Sequence, residues 1–519
     1  MKNRIKYMAL LSAAVLALAS GCGTKTESSE MNAPVQEEAV TDEEEVPVQE
    51  TTEIPATEMP QMTSGISVKD HSKKYYLSNM EFPYMYLQYC EVTVNEEGNL
   101  KNNIENWSLE RSEELRGLAA SCEKQAQEVE KNKVADLYYS IYQDVYLGRT
   151  DAQVISLVDE LYTFFSGDHG ETSRHGITFD AQTGKRLELS DLCLDYEAFE
   201  KEAIPAIKER LLLTYENELF ENYEETVETM FAGEEDPSWY LDASGITVIL
   251  PEESVGPFTM GIAEIHLPYE QFKQYLKQAY VPEQINGIAR LDKNEQVLLN
   301  VSGKENETKE VPFELTYRWE DDWPVCSLKL GEKTMSMESF ATLEHIYLIQ
   351  KDGEIYCMVG VDQASDDYDT YIYRLTEGKI QETGSVMAAI DTGNMNLDEI
   401  VMEERVNFLG SYDGQRIYRF NENHELKTEE TELNLWKNDK VLTTTVDLPV
   451  TLGENQSVLP AGSHMIIKAT DDQTYVTFII QETGQTGVLN VTRSETDYYS
   501  ISIDGKDEHE CFEVLPYAG

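Results

Sequence analysis

The chain of 519 residues carries a formal net charge of −56 at pH 7, with 97 acidic side chains against 41 lysines and arginines. This balance excludes nucleic acid as the expected partner, because phosphate binding needs clusters of Lys and Arg. It fits a surface that is exposed to salt, or a cationic partner. At about 150 residues per domain, the length predicts roughly three domains.

The N-terminus has the pattern of an export signal. A positively charged start precedes an apolar run over residues 8–18, which is too short to span a membrane as a mature helix. The next residues, Ala19-Ser-Gly-Cys22, are similar to a bacterial lipobox and predict lipidation of Cys22, although Ala19 stands where Leu is commoner. An ordinary cleaved signal peptide is the alternative. We therefore expect a signal peptide over residues 1–21 and a protein that is lipid-anchored on the outer face of the bacterial cytoplasmic membrane.

Residues 22–66 predict a disordered acidic tether. They contain no aromatic side chain and are rich in Glu, Thr and Pro. Such a composition cannot bury enough apolar surface to offset the conformational entropy of the chain, and like charges favour an extended form. The tether would hold the folded part away from the lipid surface.

Residues 67–282 predict an α+β domain, an antiparallel sheet with covering helices. Between residues 196 and 231, apolar side chains recur in four-residue steps, which drift around a helix of 3.6 residues per turn. We therefore expect two helices there, or one bent helix, with Pro205 in the first turn of a new helix. The other patterns predict strands at 85–94, 134–147, 153–165 and 260–267, a strand–turn–strand at 239–250, and helices at 100–130 and 268–280.

The stretch RHGITFDAQTGKRLELSDL, residues 174–192, predicts a hairpin. Its arms are residues 175–179 and 186–189, and the turn between them contains Asp180 and Gly184. A helix is expected to follow from Ser190 and Asp191.

This stretch, with SGDHG at 166–170 and GIAEIHLPYEQF at 261–272, resembles the extracytoplasmic domain of RsiV-type proteins over residues 70–280. That family includes lysozyme-binding anti-sigma factors, and a related segment precedes the catalytic domain of some peptidoglycan deacetylases. The cytoplasmic segment and transmembrane helix of RsiV are missing here, so we expect no sigma-factor signalling by that route. The matching residues are expected to be structural, in turns and helix starts: Asp180, Gly184, Asp191, Pro268 and Tyr269.

One segment is conspicuously acidic. No Lys or Arg occurs between Arg210 and Lys273. Two interpretations are open: an acidic helical face that attracts a cationic protein by long-range steering, or a solvated face of a generally acidic chain. The candidate partner-binding residues are Glu218, Glu221, Glu224, Glu225 and Glu228.

The C-terminal half reads as β-structure. Short strands and turns over residues 283–440 predict a β-sandwich or part of a propeller. Residues 441–519 predict a small β-barrel, which resembles bacterial Src-homology-3-like modules through its LPAG turn at 459–462.

No catalytic pattern is complete in this sequence. ITFD at 177–180 is similar to part of the TFDDG motif of polysaccharide deacetylases, but Ala181 replaces the second Asp, and there is no HExxH or HxxxH pair. The acidic loop at 362–369 could hold calcium but lacks the Gly of an EF-hand. Six cysteines besides Cys22 could form disulfides or stay as buried thiols. We expect no enzyme activity, metal or cofactor.

The sequence thus predicts a lipid-anchored envelope protein that acts as a non-enzymatic binding or sensing module. Its ligand would be a protein or a cell-wall component, and a lysozyme-like cationic protein is one possibility, with peptidoglycan as another. The alternatives are an accessory or remnant component of a peptidoglycan-modifying system, and a structural envelope scaffold.

Overall fold

The computed structural model describes residues 65–517, apart from 78–82, 96, 132–137, 167–168, 217, 234–236, 282–286, 303–307, 321–322, 338–339, 364–366, 436 and 495–499. The predicted signal peptide, Cys22 and nearly all of the tether lie outside the described residues.

The described part consists mainly of strands, with six α-helices. The helices are α1 (Asn99–Lys131), α2 (Leu189–Leu192), α3 (Tyr196–Tyr215), α4 (Tyr223–Phe231), α5 (Tyr269–Phe272) and α6 (Glu508–Cys511). The strands are β1 (Ile66–Tyr75), β2 (Met85–Val94), β3 (Tyr139–Asp151), β4 (Val154–Phe165), β5 (Glu171–Asp180), β6 (Ser238–Leu241), β7 (Gly245–Leu250), β8 (Ala263–Pro268), β9 (Gly287–Arg290), β10 (Gln296–Ser302), β11 (Thr308–Glu320), β12 (Trp323–Leu330), β13 (Lys333–Ser336), β14 (Thr342–Lys351), β15 (Glu354–Asp362), β16 (Tyr368–Thr376), β17 (Lys379–Val386), β18 (Ala389–Met395), β19 (Ile400–Asn407), β20 (Ser411–Phe420), β21 (Leu426–Lys427), β22 (Leu433–Asn434), β23 (Val441–Thr443), β24 (Leu448–Leu452), β25 (Asn455–Leu459), β26 (His464–Thr470), β27 (Tyr475–Ile480), β28 (Thr486–Asn490), β29 (Thr492–Arg493), β30 (Ile501–Ile503) and β31 (Lys506–Asp507).

The strands form several sheets. The ten-stranded sheet has the order β1-β2-β3-β9-β14-β15-β16-β17, with β4 beside β3 and β5 beside β4. Its pairs are antiparallel except β2 with β3, which the crossover through α1 makes parallel. An eleven-stranded sheet contains β18 to β28, and β6 to β8, β10 to β13 and β29 to β31 form smaller sheets.

Apolar packing covers the ten-stranded sheet in several places. Against one face, β18 to β20 bury a core that includes Val68, Val145, Met358, Ile390 and Met402. On β2 and β3, the helix α1 packs through its own buried stripe. Helices α3 and α4 pack on β6 to β8 in a separate core. The amphipathic pattern of each element therefore decides which face it covers.

The predicted strand-rich, multidomain architecture is confirmed. Strand β2 has the predicted bounds, and α1 differs from its prediction by one residue at each end. The finer description of residues 67–282 as an α+β domain stays a prediction. Strands on both sides of the predicted boundary at 282/283 share one sheet, because β9 pairs with both β3 and β14.

Three local predictions are corrected. The second hairpin arm at 186–189 is a single bridge, Phe179 to Arg186, because the chain turns into α2. Pro205 lies inside α3 and does not begin a helix, since buried Phe199 and Leu211 hold the helix on the core on both sides of it. The break between the two predicted helices falls at residues 216–222, between α3 and α4.

The cysteines are core residues. In the described part of the chain, the thiols of Cys90, Cys122, Cys326, Cys357 and Cys511 are buried and free. Buried Cys193 donates to the Leu189 carbonyl at 3.4 Å. Within the same described ranges, no helix is long and apolar enough to cross a membrane.

Candidate functional site

The predicted acidic helical face is less uniform than its sequence. Glu218 and Glu221 lie in the turn before α4, and the other three candidates lie on α4 itself; all five are exposed. Lys208 from α3 reaches this surface, where its Nζ lies 2.6 Å from Glu228 and 3.5 Å from Glu224. Lys208 therefore brings a positive charge to a surface whose own segment, residues 211–272, contains no Lys or Arg.

The family-motif residues around the predicted hairpin stabilise a turn and a helix start. The Asp180 carboxylate accepts from Thr183 N at 2.7 Å and from the Tyr280 hydroxyl at 3.0 Å. Burial would raise the pKa of Asp180, but these hydrogen bonds outweigh it and hold that pKa below its usual range. Gly184 has φ +74, and a Cβ there would lie 2.5 Å from the backbone of α1. Asp191 accepts from Glu188 N at 3.0 Å in a capping box at α2.

The other two motif residues lie where β8 meets α5. Pro268 ends β8 and caps α5. Tyr269 is buried, and its hydroxyl accepts from the Arg149 guanidinium at 2.9 Å. Arg149 is itself 1% exposed and pairs with Asp151 at 2.6 Å. These contacts join β3 to the β8–α5 corner.

A Ser-His-Asp arrangement also occurs, but it is enclosed. Ser244 Oγ lies 3.1 Å from His266 Nε2, and His266 Nδ1 lies 3.2 Å from Asp242 Oδ2. Asp242 also accepts from Ser244 and Gly245 backbone N–H groups, both at 2.8 Å. All three triad-like side chains are buried. A nucleophile needs access to its substrate, so we interpret this group as a structural hydrogen-bond network.

The feature that stands out is an acidic cleft between the ten-stranded sheet and strands β18 to β20. It has a volume of about 970 Å³. Three permanently cationic side chains line it, Arg405, Lys437 and Lys440, and they face more than three times as many carboxyls. The carboxyls are those of Asp70, Asp144, Glu344, Asp367, Asp369, Asp391, Glu403, Glu404, Asp413 and Asp472. Two of them also pair with arginines that do not line the cleft, Glu404 with Arg416 and Asp472 with Arg493.

Lys437, whose side chain is 42% exposed, lies among the carboxylates of this cleft. Its Nζ is 2.9 Å from Asp70 Oδ2 and 3.0 Å from Glu403 Oε1. Gln415 Nε2 donates to Glu403 at 2.9 Å and to Asp391 at 2.7 Å. Burial lowers the pKa of Lys437, but Glu403, Asp70 and Asp391 outweigh this and hold the pKa well above its usual value. An ammonium group is thus strongly stabilised here.

Four carboxyls of the cleft are harder to ionise than usual. Burial and the charge of Glu403 raise the pKa of Asp391 to about 7. Burial within the cleft and the nearby Asp70 raise the pKa of Asp144 to about 6, although this residue keeps contact with solvent. The pKa values of Glu344 and Asp413 are also raised, first by reduced solvation within the cleft and then by the charges of Asp362 and Glu403, although both residues are exposed. Added positive charge would therefore stabilise the ionised form of all four.

A metal ion is one conceivable occupant. Asp70, Cys90 and Asp144 each place a donor atom within 4.8 Å of the others. However, Lys437 already contacts Asp70, and burial together with Asp70 raises the pKa of the Cys90 thiol well above its usual value. Metal ligation requires the thiolate, so we assign no metal to these residues.

Sequence patterns do not predict the cleft, because its carboxylates come from strands that are far apart in the chain. Asp70 and Asp472 lie near opposite ends of the described chain. The one sequence signal was the acidic loop at 362–369, considered above for calcium. Two of its members, Asp367 and Asp369, line the cleft.

Comparison with known proteins gives structural neighbours only. No protein-family model and no curated protein sequence matches this chain. A crystal structure from Bacteroides fragilis is 16% identical, with 42% of this chain and 96% of that protein covered and a TM-score of 0.34. One from Pseudomonas aeruginosa is 20% identical, with 43% and 98% covered and a TM-score of 0.34. Both are DUF3298 family proteins. Scores this low assign neither a family nor a function to this chain, and the RsiV-type and Src-homology-3-like resemblances stay predictions.

Proposed function

We propose that this chain is an extracytoplasmic, lipid-anchored binding protein that holds a positively charged group of its ligand in the acidic cleft. The observation that carries the proposal is the cleft itself, where carboxyl groups outnumber cationic side chains more than threefold in a volume of about 970 Å³. Concave sites lined by one sign of charge focus the field and raise the local concentration of counter-charged ligands.

The local electrostatics favour a cationic occupant over a neutral one. Burial raises the pKa values of Asp391 and Asp144 first, and neighbouring carboxylates raise them further. A ligand cation would stabilise the ionised form of both against these two effects. The pairing of Lys437 with Asp70 and Glu403 is an internal example of an ammonium group bound at this place. A ligand cation would join this network or replace Lys437 in it.

A basic protein is the partner that the resemblance to RsiV-type domains implies, and a lysozyme-like muramidase is the specific candidate. Under this proposal residues 67–282 are the RsiV-like α+β domain, the tether provides reach, and Cys22 carries the lipid. The cleft uses β1 and β3 of that region together with strands from beyond it. The proposed site is therefore different from the α4 surface.

Two variants with equal charge changes test the site. The cleft variant carries Asp144→Asn, Glu344→Gln, Asp391→Asn and Asp413→Asn. Each amide has the size of the acid that it replaces, and thermal unfolding verifies that the variant is folded, because Asp391 accepts hydrogen bonds on both of its oxygens. The surface variant carries Glu221→Gln, Glu224→Gln, Glu225→Gln and Glu228→Gln. Calorimetry with the whole chain measures binding of hexa-arginine and of a basic lysozyme at two salt concentrations.

We expect the cleft variant to lose affinity by about tenfold or more, or about 1.4 kcal/mol, and the surface variant to change little. The titrations are made at about pH 8, where Asp144 and Asp391 are ionised. Both variants then lose four charges, so general attraction to an acidic protein would weaken equally in the two. Equal losses, or a loss confined to the surface variant, would overturn the cleft proposal.

The same cleft favours a second candidate, an accessory role in wall hydrolysis. Catalytic acids need pKa values near the working pH, and Asp391 and Asp144 meet that requirement. Release of soluble fragments from peptidoglycan by the wild-type chain, abolished by Asp391→Asn or Asp144→Asn, would support it. Intact peptidoglycan after prolonged incubation would leave ligand binding as the function.

A further inference from the structure

The rim of the acidic cleft carries exposed apolar side chains. Met387 is 84% exposed and Tyr368 is 37% exposed, and both line the cleft. The register of β16 and β17 pairs Thr370 with Val386, and the Thr370 hydroxyl donates to the Ala388 carbonyl at 2.8 Å. This pairing places the start of β16 beside the end of β17. Tyr368 and Met387 therefore lie on the same side of the opening of the cleft.

These two residues are suited to apolar contacts with a partner. Methionine is unbranched and polarizable, and adapts its shape to a partner surface. Tyrosine offers an apolar ring with a polar end, which is typical of interfaces. A Met side chain that is 84% exposed beside the carboxylates gives the lining of the cleft two chemistries, one charged and one apolar.

The size of the cleft also bears on its occupant. About 970 Å³ lies at the upper end of the roughly 300–1,000 Å³ of pockets that enclose drug-sized ligands. A single metal ion or a single ammonium group would fill little of it. Several side chains of a peptide segment would fit, with guanidinium groups on the carboxylates and apolar groups on the rim.

We propose that the ligand of the cleft is an amphipathic cationic segment of a basic protein, and that Met387 and Tyr368 contact its apolar side chains. This inference rests on the proposed function and specifies its ligand. Charge complementarity with the carboxylates of the cleft selects a basic segment, and the two exposed apolar side chains select against a purely polar polycation. Interface hot spots are enriched in Arg and in the aromatic residues Tyr and Trp.

The test compares peptides of equal charge on variants of the whole chain. One peptide alternates Arg with Leu, the second alternates Arg with Ser, and spermine is the small polycation. The rim variant is Met387→Ser with Tyr368→Ser. Its control is Leu213→Ser with Val458→Ser, which removes two apolar side chains, 77% and 57% exposed, that do not line the cleft. Thermal unfolding verifies that each variant is folded.

We expect the wild type to bind the Arg-Leu peptide about tenfold more tightly than the Arg-Ser peptide, and the rim variant to lose that preference while the control retains it. Equal affinity of the wild type for both peptides and spermine would overturn the amphipathic ligand but leave cation binding intact. A preference that survives in the rim variant would also overturn the inference. No binding of any probe would contradict the proposed function itself.

Discussion

Asp391 and Asp144 make the cleft a site whose charge changes near neutral pH. Asp391 faces Asp70, Glu403 and Lys437, and the same three groups act on Asp144. At about pH 5 both carboxyls are largely protonated, and by about pH 8 both are ionised, given pKa values of about 7 and 6. Because a cation binds the ionised form, affinity must rise with pH over this range.

We predict that the affinity for hexa-arginine increases about tenfold or more between about pH 5 and pH 8, since guanidinium itself does not titrate there. Calorimetry across this range measures it. The double variant Asp144→Asn with Asp391→Asn should give a nearly flat profile. A flat profile in the wild type would show that these carboxyls do not contribute to binding.

At the scale of elements, β18 closes the free edge of β1 through one side chain. Asn394 Oδ1 accepts from Val68 N at 2.8 Å, and Asn394 Nδ2 donates to Val68 O at 2.9 Å. The amide also donates to Asp391 at 2.8 Å. An asparagine thus takes the place of a neighbouring strand, which protects an edge that would otherwise be open to pairing.

Asn394→Ala should lower the free energy of unfolding by about 2–4 kcal/mol, because the buried N–H and C=O of Val68 would lose their partners. Chemical denaturation measures the change. Asn423→Ala, at an exposed turn, is the control and should change stability by less than about 0.5 kcal/mol. A similarly small change at Asn394 would mean that water satisfies the edge of β1.

Sequence patterns predict an element correctly where the spacing of its own apolar side chains decides its structure. Strand β2 alternates regularly, and α1 carries an apolar stripe, so both were placed within a residue. The prediction that Pro205 begins a helix is wrong because tertiary packing of α3 outweighs the local penalty of proline. The cleft could not be foreseen, because strand pairing between distant parts of the chain, such as β3 with β9, brings its walls together.

At the scale of the whole molecule, the net charge of −56 acts on folding and on binding with opposite signs. Like charges repel within the folded chain, and salt relieves that repulsion. Salt also screens the attraction between the cleft and a cation, with a Debye length of about 10 Å at 0.1 M. Stability and affinity should therefore respond to salt in opposite directions.

We predict that raising NaCl from about 20 mM to about 300 mM, a range that shortens the Debye length severalfold, raises the Tm and weakens binding of hexa-arginine. Scanning and titration calorimetry on the same sample measure both. The fourfold cleft variant removes only four of 97 acidic charges, so its Tm should keep nearly the same salt response while its affinity becomes less salt-dependent. A Tm that falls with salt would mean that attractive ion pairs, such as Arg149 with Asp151, outweigh the repulsion.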